Sequence, residues 1–344
     1  MKRLIQILWP FAFTLAFTAG AELMPAKLRC EYATNPLNVD VANPRLFWID
    51  ESSKRGERQT AYEILVASTE SLGRRSRLCK SNTTHLPMKI ATFNISGMTA
   101  RGSALLRWLE ESRPDVACLQ ELKTPHEKFP EQAIREAGYG VIWHGQKSWN
   151  GVAILARGTD PVERRRVLPG DPEDLHSRYI EATVDGIVIG CLYLPNGNPA
   201  PGPKFDYKLR WLDRFLLHAA ELAAGGESVV LAGDYNVIPT EIDVYKPERW
   251  VDDALFRVEV RDAYRRLLDQ GWTDALRALN PGVTVFTFWD YFRDAFKRNA
   301  GLRIDHLLLS PSVAGRLTAA GVDRDVRGRD KPSDHAPVWI TLAD

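Results

Sequence analysis

Cysteine is scarce in this chain of 344 residues: Cys30, Cys79, Cys118 and Cys191 are all it has. No two of them form a C-x-x-C pair, which leaves zinc ribbons and thioredoxin-like redox motifs without support. An excess of charge of one sign is also lacking. Lys plus Arg number 45 against 44 Asp plus Glu, a net charge of +1, so the strongly basic balance that often marks nucleic-acid binders is missing. Past the N-terminus no segment approaches about 18 apolar residues free of charge, the length a membrane-spanning helix needs. No period of about 20 to 50 residues repeats, which disfavours solenoids and propellers. What is present is buriable surface: 44% hydrophobic residues, with 10 Trp, 10 Tyr and 13 Phe, more than a disordered chain carries. At about 150 residues per domain the length predicts roughly two domains.

The first of these divides further. Met1-Lys2-Arg3, the mostly apolar Leu4 to Phe17 and the small residues Ala19-Gly20-Ala21 read as an export signal over residues 1–21. Residues 22–87 form a separate region with two short β-like runs, Asn43-Pro44-Arg45-Leu46-Phe47-Trp48 and Gln59-Thr60-Ala61-Tyr62-Glu63-Ile64-Leu65-Val66, followed by a basic, polar linker from Ser71 to Pro87. A Cys30–Cys79 disulfide is expected only if this part is exported. Cys118 and Cys191 sit in apolar runs and read as buried core thiols.

From Met88 the pattern changes to short apolar runs, most of which meet a polar residue at one end. Lys89 to Phe93 runs into Asn94, and Asp115 to Leu119 runs into Gln120-Glu121. Ile187 to Leu194 carries Tyr193 and is followed by Asn196, while Val229 to Ala232 runs into Gly233-Asp234-Tyr235-Asn236. Asp305 and Ser333-Asp334-His335 stand at the starts of two others. Any one of these is most simply a turn residue or a helix cap. Their recurrence at six strand ends predicts convergence at one edge of a packed sheet, where sites are built. Helices are predicted over Gly102 to Ser112 and over Phe205 to Ala224, the latter presenting Leu209, Leu212, Leu216 and Leu217. Two more are predicted over Arg261 to Asp269 and Thr273 to Leu279, and the interspersed elements imply a mixed α/β domain over residues 88–344.

Carboxylates at 121, 234, 305 and 334 and amides at 94 and 236 form an oxygen-rich set that suits a hard cation such as Mg²⁺ better than zinc. Asp305 with His335 is the pairing that orients an imidazole and supports its charged form. A cation on phosphoryl oxygens, a base for water and donors for developing charge are what phosphoester hydrolysis requires.

Nine stretches then resemble, in order, bacterial exonuclease III, the apurinic/apyrimidinic (AP) endonuclease branch of the endonuclease/exonuclease/phosphatase superfamily. They are Ala91 to Asn94, Cys118 to Lys123, Asn150 to Ile154, Arg178-Tyr179-Ile180, Tyr193 to Gly197, Gly233 to Asn236, Thr287 to Tyr291, Leu302 to His306 and Ser333 to Pro337. The resemblance implies a four-layer, DNase I-like α/β sandwich of two mixed sheets flanked by helices. It implies an AP endonuclease that is Mg²⁺-dependent, with Mn²⁺ as a substitute, and cleaves 5′ to abasic sites. The same enzyme would have 3′–5′ exodeoxyribonuclease and 3′-repair activity in base excision repair, acting as a monomer on double-stranded DNA. Position by position, Glu121 resembles the principal metal carboxylate, with Asn94 and Asp334 near the metal. Asp234 resembles the group that activates water or protonates the leaving group, and Asn236 helps place the phosphate. His335, with Asp305, and Tyr193 match groups at the scissile phosphate. Asn196 and Arg178 match phosphate or DNA contacts. Phe288, Trp289, Leu302 and Ile304 match the region around a pocket for a flipped-out baseless sugar. Ser96, Thr99 and Phe296 depart from the usual Asn, Arg and Trp. Residues about 27 to 70 resemble the start of the N-terminal β-sandwich module of bacterial α-L-rhamnosidases, cut short.

Three rivals remain. One is another superfamily phosphatase or nuclease, which typically carries His where this chain has Tyr193. The second is a non-catalytic nucleic-acid-binding scaffold, and the third an exported carbohydrate-binding protein. The export signal places the chain outside the cytoplasm and DNA repair inside it. Met88 as a natural start, with no membrane association and a cytoplasmic catalytic domain, is the expectation that reconciles them. Scattered basic residues, among them Arg164, Arg165, Arg166, Arg327, Arg329 and Lys331, are expected to meet phosphates.

Overall fold

Central strands in the C-terminal part of the chain bury both faces, and each face has its own partner. On Val116–Gln120, for example, Val116 and Cys118 enter one apolar cluster while Ala117 and Leu119 enter another. Such two-sided burial needs a layer above and a layer below. In the computed structural model the chain divides into two compact units, Met1–His85 and Leu86–Asp344. The structure describes residues 87–343, together with the backbone of six strands in the first unit. Those strands form a four-stranded sheet and an antiparallel pair, Leu23–Cys30 with Leu46–Ser52. Of the expected export signal only the strand backbone at Leu4–Ile7 and Leu15–Ala16 is described, and the side chains of the expected Cys30–Cys79 pairing lie outside the description.

The second unit contains twelve strands among its described residues: β1 (Met88–Asn94), β2 (Val116–Gln120), β3 (Tyr139–His144), β4 (Val152–Arg157), β5 (Val162–Arg165), β6 (Tyr179–Val184), β7 (Ile187–Tyr193), β8 (Val229–Asp234), β9 (Thr273–Asp274), β10 (Asp305–Leu309), β11 (Leu317–Val322) and β12 (Val338–Leu342). They build two six-stranded sheets, ordered β11-β12-β1-β2-β4-β3 and β5-β6-β7-β8-β10-β9. Each sheet has one parallel pair at its centre, β1 with β2 and β7 with β8, and all its other pairings are antiparallel. Ile90, Val116, Cys118 and Ile154 of the first sheet meet Ile180, Ile189, Cys191, Val230 and Leu307 of the second between the sheets.

Helices cover the outer faces. Helix α1 (Met98–Ser112) buries Leu105, Trp108 and Leu109 on the first sheet, and α2 (Glu131–Glu136) adds Ile134. Helix α3 (Pro203–Ala224) buries Phe205, Trp211, Leu212, Phe215, Leu216 and Ala219 against the second sheet, where it packs beside α4 (Val258–Asp269). Side chains of this size contribute roughly 1.5–3 kcal/mol each on burial. The architecture is the expected four-layer α/β sandwich. No helix among the described residues is long and apolar enough to cross a membrane.

Two local expectations are corrected. Leu217 of α3 is 69% exposed; the helix is rotated so that the bulkier aromatics at 205, 211 and 215 define its apolar stripe. Thr273 to Leu279 is not one helix. Thr273 and Asp274 form the edge strand β9, and α5 (Ala275–Leu279) begins only after Asp274 accepts a bond from the Arg277 amide as N-cap.

The loop leaving β8 is anchored from beneath by a buried ionic network. Arg303 donates to Asp243 at 2.6 Å and to Asp274 at 2.7 Å, and Arg277 also reaches Asp243. His306 Nε2 lies 3.0 Å from the Val237 carbonyl and its Nδ1 lies 3.0 Å from Arg303 Nη1. The carbonyl needs a proton on Nε2 and the guanidinium needs a bare Nδ1, so the ring is neutral. Burial, reinforced by the Arg303 charge, pushes His306 down to about 4 from an ordinary 6.5. The unfolded chain therefore takes up a proton below pH 6.5 that the folded chain refuses until about pH 4. Stability is expected to fall across that window at up to about 1.4 kcal/mol per pH unit from this group. Melting temperature followed against pH should show this slope in the wild type and a shallower one in His306→Gln; equal slopes would contradict it.

Candidate active site

The central parallel strands of both sheets end on the same side of the sandwich, and the polar residues of interest stand at those ends. Asn94 closes β1 and Glu121 follows β2; Tyr193 closes β7 and is in register with Asp234 at the end of β8. The antiparallel neighbour β10 starts there, placing Asp305 opposite Asp234. His335, just before β12, reaches the same edge through a bridge with Phe288. Two hydrogen bonds between these residues cross from sheet to sheet: Asn94 Nδ2 donates to Asp234 Oδ2 at 2.9 Å, and the Tyr193 hydroxyl donates to Glu121 Oε1 at 2.6 Å.

Two residues at this edge have left-handed backbone, which is ordinary for Asn but uncommon for Glu. Glu121 has φ +53° and Asn236 φ +47°. A left-handed Glu is strained by order 1 kcal/mol or more and persists where its surroundings hold it. Here the Gly97 amide bonds the Glu121 carbonyl at 2.8 Å, and the next turn is tied down by Lys123 N to Asn150 O at 2.9 Å. The Glu121 carboxylate takes the Tyr193 hydroxyl on one oxygen and the Lys123 ammonium, at 2.5 Å, on the other. Burial raises its proton affinity, but the Lys123 charge and hydrogen bond outweigh it and keep the group ionised.

Asp234 is buried and fully engaged, accepting from Asn94 and from the Asn236 amide at 2.9 Å. Burial pushes its pKa up, helped by the nearby Asp305 charge and opposed by His335. His335 Nδ1 sits 2.9 Å from Asp305 Oδ2, and its Nε2 lies 3.8 Å from Asp234 Oδ2. Burial disfavours the imidazolium, yet the Asp305 carboxylate overrides that and raises His335 to about 10. Asp234, Asp305 and His335 have ligand atoms within 4.8 Å of one another. They could hold a metal only with His335 deprotonated, which the Asp305 charge opposes, because an imidazolium has no lone pair to give. A hard cation suits the Glu121 side instead, where the donors are oxygens and the carboxylate already faces an ammonium.

The remaining predicted residues fall as follows. Asn236 donates to the Leu194 carbonyl and accepts from Asn196, which is itself exposed. Arg178 is half-buried, with its guanidinium over the Tyr193 ring at 4.8 Å. Asp334 is half-buried beside Ser333, whose hydroxyl donates to the Asn94 carbonyl. Phe288 packs edge-on to His335 at 5.0 Å and bridges Leu302, while Leu302 and Ile304 lie behind it in the core.

Trp289 departs from its predicted role. It is 1% exposed and its indole donates to Asn299, so it supports the following loop instead of facing a ligand. The basic residues are also less free than expected. Arg164 pairs with Glu227, Arg166 with Glu163, and Arg329 with Glu111. Arg327 is buried against the Trp289 carbonyl, with Phe296 set near both its guanidinium and that of Arg324. Sequence reasoning assigned no role to Lys123 or Lys208. The second was detectable, since a lysine at 208 falls on the same helical stripe as Phe205, Trp211 and Leu212. A cleft of about 310 Å³ beside α1, lined by Met98, Leu106, Thr124, Lys128 and Ile134 among others, contains none of the site residues.

The Asp305–His335 pairing has a direct spectroscopic consequence. Without added metal, the His335 ring should remain protonated at about pH 8 in nitrogen-15 NMR spectra, as the Asp305 charge dictates. Asp305→Asn should let it titrate near or below its ordinary 6.5. A wild-type ring that titrates near 6.5 would contradict this electrostatic assignment.

Comparison with known proteins agrees with this geometry. Residues 91–335 match the Endonuclease/Exonuclease/phosphatase family, and residues 25–93 match the Rha78A-like, N-terminal immunoglobulin domain. The second match extends beyond the run recognisable from residues about 27 to 70 and ends inside β1. Exodeoxyribonuclease III of Haemophilus influenzae is 36% identical over 265 residues, 73% of this chain and 98% of the relative. Among solved structures, an AP endonuclease from Archaeoglobus fulgidus is 35% identical with a TM-score of 0.72, over 74% of this chain and 99% of that one. A 3′ phosphatase from Neisseria bound to a product DNA hairpin is 37% identical, also with a TM-score of 0.72, over 75% of this chain and all of that one. With its two stitched sheets and a family match spanning residues 91–335, this chain belongs to the Endonuclease/Exonuclease/phosphatase family.

Proposed function

We propose that the chain is a Mg²⁺-dependent DNA repair hydrolase that cleaves the phosphodiester 5′ to abasic sites and trims 3′ ends from the same site. The observation that carries this reading is the buried Asp234 facing the Asp305-held His335, with Glu121 tied across the sheets to Tyr193. Relatives matched over nearly their whole length bear nuclease, AP endonuclease and 3′ phosphatase names.

Each residue has a defined task in this reading. Asp234, held by Asn94 and the Asn236 amide, takes the proton of the attacking water; its raised affinity brings it toward the range of an effective base. The cationic His335 contacts a non-bridging phosphate oxygen and stabilises the charge that develops there. Glu121, with Asn94 and Asp334, would hold Mg²⁺, and Mn²⁺ could replace it. When bound, the ion polarises the phosphoryl group and offsets charge on the leaving oxygen. Tyr193 fixes Glu121, and Asn196, Asn236 and Arg178 place the phosphate. A wall presented by Phe288 and backed by Leu302 and Ile304 accepts a baseless sugar and excludes a full nucleotide by size.

The test is a duplex with one abasic site, incubated with the protein and Mg²⁺ or with chelator. A Mg²⁺-dependent nick 5′ to the lesion is expected, with Asp234→Asn slowing it by about 10²–10⁴-fold, the usual contribution of a general base. Glu121→Ala should raise the Mg²⁺ requirement as well. An intact strand, or variants as fast as wild type, would rule the mechanism out.

A further inference from the structure

Lys208 is a full-length cation in the interior. It is 0% exposed, and no carboxylate among the described residues lies within ion-pairing distance of it. Burying an ammonium without a counter-ion is costly; here burial lowers its pKa to about 7, against the pull of Asp253 and Asp234. The ammonium spends its donors on two backbone carbonyls, Asn236 at 2.6 Å and Asn196 at 3.0 Å.

Those two carbonyls belong to different loops. Asn196 follows β7 and Asn236 follows β8, and their side chains also meet, Asn196 Nδ2 to Asn236 Oδ1 at 3.2 Å. Asn236 is the left-handed residue whose N–H holds Asp234, and its φ and ψ tie that N–H to the carbonyl that Lys208 holds. The route of the lysine stem is also built in. A Cβ on Gly197 would come within 2.7 Å of Lys208 Cδ and 3.2 Å of the Ala254 Cβ, at a φ of +91° that suits glycine.

We propose that Lys208 is a positioning residue that clamps the Asn196 and Asn236 loops from beneath and so fixes Asp234 and the phosphate-facing amides for the reaction. This rests on the functional reading above. The clamp acts on geometry that matters in the transition state more than on substrate affinity, so its loss falls on kcat. A misplacement of about 1 Å at a reacting centre costs of order 100-fold.

Two measurements on the full chain test it together. In the first, kcat and KM are taken on the abasic duplex with Mg²⁺ for wild type, Lys208→Met, Lys208→Arg and Gly197→Ala. In the second, amide hydrogen exchange is followed by mass spectrometry without substrate. Lys208→Met and Gly197→Ala should lower kcat about 100-fold with KM nearly unchanged, and Lys208→Arg should recover most of the loss. Exchange in Lys208→Met should rise over 194–198 and 234–238 and stay at wild-type levels in the other strands. Wild-type kcat in Lys208→Met overturns the proposal, as does an arginine variant no better than methionine. A general rise in exchange across both sheets also overturns it, since it would mark a lysine needed only for folding. Should the wild type fail to nick the duplex, the functional reading falls and exchange alone decides the clamp: a rise confined to the two loops supports it, and no rise or a general one overturns it.

Discussion

The contact between Asp305 and His335 is the one on which the rest of the site depends. Two opposite charges lie almost wholly buried, 2.9 Å apart, where neither would be tolerated alone. Removing one partner of such a pair leaves the other charge stranded, which typically costs several kcal/mol. The pair in turn holds a positive charge against Asp234 and offers it to an anionic ligand at the sheet edge. Its position follows from strand register: Asp305 is opposite Asp234 because β8 and β10 run antiparallel, and His335 joins them through its bridge to Phe288.

The architecture explains how residues more than 200 positions apart come to share one edge. Both sheets have the same succession of strand directions, with a single parallel pair between antiparallel pairs. A parallel pair ends on one side only, so Asn94 and Glu121 in one sheet and Tyr193 and Asp234 in the other project from corresponding places. The hydrogen bonds Asn94 to Asp234 and Tyr193 to Glu121 then close the two edges on each other. This likeness of the sheets leaves no repeat in the amino acids, because a strand buried on both faces asks only for apolar residues.

Much of this could be read from the chain alone, for a physical reason. Apolar runs such as Val229 to Ala232 end abruptly at Asp234 and Asn236, and an abrupt polar ending repeated six times marks an edge. The four-layer sandwich came from the resemblance of nine stretches, since periodicity could not choose among packings of the same strands. What escaped were features that depend on neighbours distant in sequence. The left-handed turn at Glu121 has no glycine to announce it and is imposed by Gly97 and Asn150. Trp289 looked like a ligand-facing aromatic until Asn299 was seen to hold its indole. Arg327 and Arg329 looked available for phosphate, whereas the fold has already given them protein partners. Lys208 was visible on an apolar helical stripe, but the carbonyls that explain it come from loops on either side of α3 in sequence.

The central claim is that this edge directs water onto phosphorus, so the fate of the water oxygen is its most direct test. The abasic duplex would be cleaved with Mg²⁺ in water enriched in oxygen-18 and the fragments weighed. In-line hydrolysis 5′ to the lesion predicts one heavy oxygen on the 5′-phosphate of the baseless sugar fragment and an unlabelled 3′-hydroxyl on the other. Cleavage without label in that phosphate, or on the 3′ side of the lesion by elimination, would contradict the account.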